Sequence, residues 1–207
     1  MRIKFILTFL ILLASIASFA QDNNAMQEFK TDLKALNKDV SSIKCQFVQT
    51  REISVLADKV DKSGVFYFLY PGNILLTYDD GDYTKITEEF LEIKSRGKIS
   101  TTKVSSNPML KNISTVMSAC INADFSNIAK VFTIDARERE NEWIVTLAPQ
   151  RGKAASKIAN IVLEFEKEGM SLDKLILKEK SGDSTIYTFS HKQFNIHIDN
   201  VLFDTTK

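Results

Sequence analysis

The sequence predicts an α+β fold: antiparallel strands in a half-closed barrel with an apolar concave face, and two short helices against the sheet. Helical spacing of apolar residues is confined to two stretches, about 24–41 and 109–120. Nearly all the rest alternates with a period of two between tight turns. The stretch GVFYFLYPGNILLTYDDGD, residues 64–82, is apolar on both parities. An ordinary strand with one face in water is not. A sheet bent around an unfilled apolar face accounts for that doubling.

The first segment, MRIKFILTFLILLASIASFAQDNN, has basic Arg2 and Lys4, an apolar run, and small Ser18 and Ala20. This is the layout of a secretory signal peptide cut before Gln21. The apolar run is short for a membrane span of about 20 residues. Residues 1–20 are therefore expected to be removed and 21–207 to form one exported domain, long enough for a sizeable core. The first cysteine is Cys45, so no lipid-accepting cysteine follows the cut and the mature chain is expected to be free of the membrane. Without Arg2 and Lys4, 25 basic residues face 26 acidic ones, a formal charge of −1. That balance argues against nucleic acid or an anionic surface as the main partner.

Met26, Phe29, Leu33, Leu36, Val40 and Ile43 step by three and four and predict the first helix, 24–41, with Asp22 to Asn24 available as a cap. From SIKCQFVQTRE the period becomes two, with Ile43, Cys45, Phe47 and Gln49 on one side. Strands follow at 64–70 and 73–79, and DDGD marks a hairpin turn. Further strands read at about 83–87, 90–94, 98–104, 130–138, 142–147, 158–167, 172–180, 184–190 and 193–198. Between them Asn107-Pro108 opens the second helix, with Leu110, Ile113, Met117, Cys120 and Ile121 at helical spacing. A weaker helical turn is expected at 152–158.

Catalysis finds little support. His191 and His197 are the only histidines, and six residues apart on a strand they stand roughly 20 Å from one another. Asp79, Asp80 and Asp82 lack the spacing of a calcium loop, and the turn needs Asp-Gly in any case. No nucleophile elbow, zinc-binding or phosphate-cradling motif occurs. No enzyme activity, metal or cofactor is expected. Cys45 and Cys120 read either as one disulfide in an oxidising compartment or as two buried thiols.

What remains is apolar surface. Phe66, Phe68 and Tyr70 share one parity, and Ile74, Leu76 and Tyr78 continue it after the turn. Phe47 from the preceding strand joins them, and Leu163, Phe165, Leu175 and Leu177 extend the face.

In their order along the chain these features resemble the periplasmic outer-membrane lipoprotein carrier family, LolA. The matching segments are FVQTRE, the G-x-F-x-F-x-x-P-G strand and turn at 64–72, NPMLKNI, VTLAP at 145–149, IANIVLEFEKEG at 158–169, LDKLILKEKSGDSTIYTFS at 172–190, and NVLFD at 200–204. The resemblance implies an open, strongly curved antiparallel half-barrel of about 10–11 strands, with the short helices forming a lid, carrying Met109, Leu110, Ile113 and Met117, over an apolar concave face that takes lipoprotein acyl chains. It implies a monomeric carrier that receives cargo from an inner-membrane lipoprotein-releasing ABC transporter and delivers it to an outer-membrane lipoprotein receptor. Where family members often hold the lid with an arginine before the turn proline, this chain has Tyr70. Burying each CH₂ group is worth about 0.8 kcal/mol, so one long acyl chain brings on the order of 10 kcal/mol before costs. Other readings of the resemblance are a periplasmic sensor of lipids or lipoproteins that regulates envelope stress, and a carrier of another lipid or hydrophobic precursor.

Overall fold

A computed structural model describes residues 24–55, 58–104, 115–121, 123–150 and 157–205, without the side chain of Asp58. Helix α1 (24–37) ends earlier than predicted, where the Val40 amide donates to the Asn37 carbonyl at 3.0 Å. Its buried row steps by four, through Phe29, Leu33 and Asn37, so Leu36 turns outward and is 54% exposed. Asn37 is tolerated there because its side-chain amide donates to the Met170 carbonyl at 3.0 Å, as a buried polar group requires.

Eleven strands follow: β1 (Ser42–Ile53), β2 (Asp58–Leu69), β3 (Asn73–Tyr78), β4 (Tyr83–Ile86), β5 (Phe90–Ser95), β6 (Lys98–Lys103), β7 (Phe132–Glu138), β8 (Glu142–Pro149), β9 (Ile158–Glu166), β10 (Leu172–Glu179) and β11 (Ser184–Phe194). They form one antiparallel sheet in the order β6-β5-β4-β3-β2-β1-β11-β10-β9-β8-β7. The chain thus lays down two halves outward from a central β1–β11 pair. Gly64 in β2 pairs with Tyr78 in β3. A Cβ there would stand 1.9 Å from the Thr77 carbonyl oxygen, so only glycine lets the strands approach.

Two strand expectations change. β2 begins at Asp58, six residues before the expected start, and β11 runs unbroken from 184 to 194. The expected strand at 193–198 is absent. Asn195, at φ 55°, turns the chain out of the sheet, held by its side-chain oxygen accepting the Ser41 amide at 2.8 Å. Part of helix α2 (115–121) is described. The turn expected at 152–158 lies outside the described residues up to 156, and Ile158 already begins β9.

Past Asn195 the chain crosses the convex side of the sheet. Ile196, Ile198 and Phe203 pack there on Tyr67, Leu69, Leu75 and Tyr83. The second apolar parity of 64–78 therefore meets the chain's own C-terminal segment, which corrects the expectation that an unfilled face explains both parities. Beneath that segment Lys85 and Glu92 form a buried ion pair at 3.4 Å, 8% and 0% exposed. Lys85 also donates to the Asp204 carbonyl, and Glu92 accepts from Tyr83 at 2.8 Å and Thr101 at 3.4 Å.

The concave side holds two apolar clusters. In one, Phe29 of α1 sits among Phe125, Trp143 and Phe165 at centroid distances of 5.8, 5.7 and 5.1 Å, over β7–β9. The other gathers Cys45, Phe47, Phe66, Phe68, Ile74, Ile86 and Phe189. Helix α2 belongs to both, with Val116 and Cys120 in the first and Met117 and Ile121 in the second.

Candidate functional site

Between the second cluster and α2 the side chains do not fill the trough. A cavity of about 180 Å³, open to solvent, remains. One wall is built by alternate residues of β3 to β5: Ile74, Leu76 and Tyr78, then Thr84 and Ile86, then Leu91 and Ile93. The facing wall takes Ile161 from β9, Leu175 and Leu177 from β10, and Tyr187 and Phe189 from β11. Phe66 lies between them, and Val116 and Met117 of α2 close the top.

Polar atoms on this lining are few. The Tyr78 hydroxyl donates to Gln49 Oε1 at 2.8 Å and interacts with the Thr84 and Tyr187 hydroxyls. Burial pushes both phenols upward, so they stay neutral. Phe47 lies below them, edge-on to Tyr78 at 5.3 Å and tilted against Tyr187 at 6.2 Å. Such a surface binds apolar matter by desolvation, and no charged side chain is among the described lining.

A second cavity of about 40 Å³ adjoins the first and shares Phe66, Met117 and Phe189 with it. Cys45 and Cys120 both line it as free, buried thiols. Of the two cysteine readings, the structure holds the thiol pair. Burial pushes the Cys45 thiol up to about 12, opposed by the nearby Lys192 charge, and raises that of Cys120.

Six of the eleven expected cavity residues line the larger cavity: Phe66, Ile74, Leu76, Tyr78, Leu175 and Leu177. Phe47 and Phe68 are buried beneath it, and Leu163 and Phe165 are fully buried in the cluster that holds Phe29 of α1. Tyr70 is 57% exposed and lines neither cavity, which corrects its place in the predicted site. Of the expected lid, Met117 lines both cavities, while Met109, Leu110 and Ile113 lie outside the described residues. Sequence reasoning missed Val116 on α2 and, on the strands, Thr84, Ile86, Leu91, Ile93, Tyr187 and Phe189 as lining. Their strands alternate apolar and polar in the ordinary way, and only the parity shared with Leu76 could have singled them out. His191 and His197 are exposed, and no cluster of three potential metal ligands occurs among the described residues.

The model of one family, outer membrane lipoprotein carrier protein LolA, matches residues 38–206. The chain belongs to the LolA family. That match takes in all eleven strands of the half-barrel and both cavity walls. An uncharacterized conserved protein from Thermus thermophilus has the same fold, with 11% identity, 87% of this chain and 94% of that one covered, and a TM-score of 0.52. A LolA superfamily protein from Nitrosomonas europaea matches at 8% identity over 87% and 98% of the two chains, TM-score 0.45. The MucA/MucB complex of Pseudomonas aeruginosa contains a chain that matches at 10% identity over 87% and 61%, TM-score 0.47. No curated protein matches the sequence significantly. Among the described residues no helix is long and apolar enough to cross a membrane.

Proposed function

We propose that the mature chain, residues 21–207, is a periplasmic carrier that takes lipoprotein acyl chains into the larger cavity and moves them from the inner to the outer membrane. The observation that carries this reading is a cavity of about 180 Å³ whose described lining is aliphatic and aromatic apart from three hydroxyl-bearing residues, Tyr78, Thr84 and Tyr187. An acyl chain of n CH₂ groups gains about 0.8n kcal/mol on leaving water, with no need of a charged anchor. Membership in the LolA family agrees with this. An ABC transporter as donor and a lipid-anchored receptor as acceptor complete the route. Met117 lends the roof adaptability, since a methionine repacks readily around different guests.

The test is binding of a triacylated lipopeptide to the purified mature protein. Leu76→Glu places a carboxylate in the cavity wall, where Leu76 is only partly buried, so the fold tolerates it. Binding is expected to fall at least tenfold in this variant while the thermal transition stays cooperative. Unchanged affinity refutes the assignment of the cavity, and no binding by the unmodified protein refutes the function.

A further inference from the structure

The smaller cavity carries a charge where the larger has none. Among the described residues that line the two, Lys192 is the single charged side chain. It projects from β11 and is only 14% exposed. Its Nζ donates to Ser171 Oγ at 2.8 Å and to Asp173 Oδ1. Asp173 stands half in water, its side chain 51% exposed, where an ion pair is screened and contributes little. The ammonium also acts inward, opposing the rise that burial imposes on the Cys45 thiol in the same cavity. Asn37 lines this cavity too, its amide already committed to the Met170 carbonyl.

Three side chains separate the two cavities. Phe66 and Phe189 meet edge to face at 5.3 Å, and Met117 lies on both cavities from α2. The phenylalanines are fixed to strands of the sheet, whereas an unbranched methionine has three rotatable bonds. Turning Met117 aside joins the two spaces into one trough, apolar along its length and cationic at one end. Its polarity matches a fatty chain with an oxygen-bearing head.

We propose that Lys192 is a head-group subsite whose ammonium receives an oxygen acceptor, a carboxylate or ester carbonyl, at the end of an acyl chain lying in the larger cavity; the Ser171 hydroxyl is already committed, accepting from Lys192 and donating to Glu166 Oε1 at 3.3 Å. The inference rests on the acyl-binding reading and adds an orientation to it. The head sits near the C-terminal end of α1, and the tail runs toward β3–β5.

The experiment compares palmitate, methyl palmitate and hexadecyltrimethylammonium below their micellar concentrations, by calorimetry on the purified mature protein. Palmitate is expected to bind about tenfold or more tighter than the ammonium surfactant, the size of one hydrogen bond to a charged group, with methyl palmitate between. Lys192→Met brings palmitate and the surfactant within about twofold, weakening palmitate and relieving the repulsion on the surfactant head, and Lys192→Arg keeps the preference. Circular dichroism melts establish that each variant folds. Should Lys192→Met not fold, Asp173→Asn serves instead: removing the competing carboxylate raises palmitate affinity several-fold and leaves the surfactant unchanged. Equal affinities in the unmodified protein overturn the subsite, as does a preference that survives Lys192→Met or an Asp173→Asn variant without effect. Failure of all three probes to bind refutes the acyl reading itself, a result distinct from equal binding.

Discussion

Lys85→Met removes one member of the buried pair on the convex face and takes the Lys85 ammonium from beside Glu92, 0% exposed. Breaking a buried ion pair from one side costs about 3–5 kcal/mol, because a charge is stranded in a poorly polarisable interior. Glu92 keeps the hydrogen bonds from Tyr83 and Thr101, so the loss belongs at the lower end, about 3 kcal/mol. For a domain of this size that lowers the melting temperature by roughly 6–12 °C. Urea unfolding followed by circular dichroism measures it. The variant also loses the Lys85 contact to the Asp204 carbonyl, so protease should cut the C-terminal segment faster than in the parent. Lys85→Met combined with Glu92→Met removes both charges and is expected to recover most of the stability. A single variant that loses less than about 1 kcal/mol, or a double variant no better than the single, refutes the reasoning.

Other outcomes follow from burial and geometry. Phe68→Ala, at a fully buried site, is expected to cost about 3–5 kcal/mol in urea unfolding, whereas Leu76→Ala, beside existing empty space, costs at most about 2 kcal/mol. Gly64→Ala is expected to give little folded protein on expression, because its methyl group would meet the Thr77 carbonyl at 1.9 Å. With its thiol raised to about 12, Cys45 is almost wholly protonated at pH 8, and the thiolate is the reactive form. Native protein at that pH should resist iodoacetamide at Cys45 and Cys120, while unfolded protein takes up two equivalents.

Much of the sheet was legible because its strands are short and bounded by Gly, Pro and Asp turns. The start of β2 was not. Asp58 to Ser63 reads as polar chain, yet those residues pair along β1 from Ile53 to Val48 and need no buried face to do so. Nor did periodicity reveal what covers each face. Leu163 and Phe165 share a parity with Ile161 on β9, but Phe29 of α1 packs edge-on to Phe165 and Leu163 is fully buried in the same cluster, while Ile161 borders the void. A period of two tells which side a residue faces and is silent about the neighbour waiting there. The same limit hid the role of residues 196–203, whose alternating Ile196 and Ile198 look like a strand but lie as a strap on the convex face. In α1, steps of three and four both fit the apolar residues, and packing chose the row through Asn37 over Leu36.

The sheet is hydrogen-bonded like an open book, with β1 and β11 as the spine and β6 and β7 as the outermost strands among the described residues. Each cover keeps its own ladder of antiparallel bonds, and α2 is clasped between them, with one row of side chains in either. Splaying the covers stretches no ladder except at the spine, and asks that the clasp give up one of its rows and that Phe66 part from Phe189 and Tyr78 from Tyr187. Capacity in such a vessel grows with angle, so guests of different girth can be housed by degrees of opening, with no second architecture required.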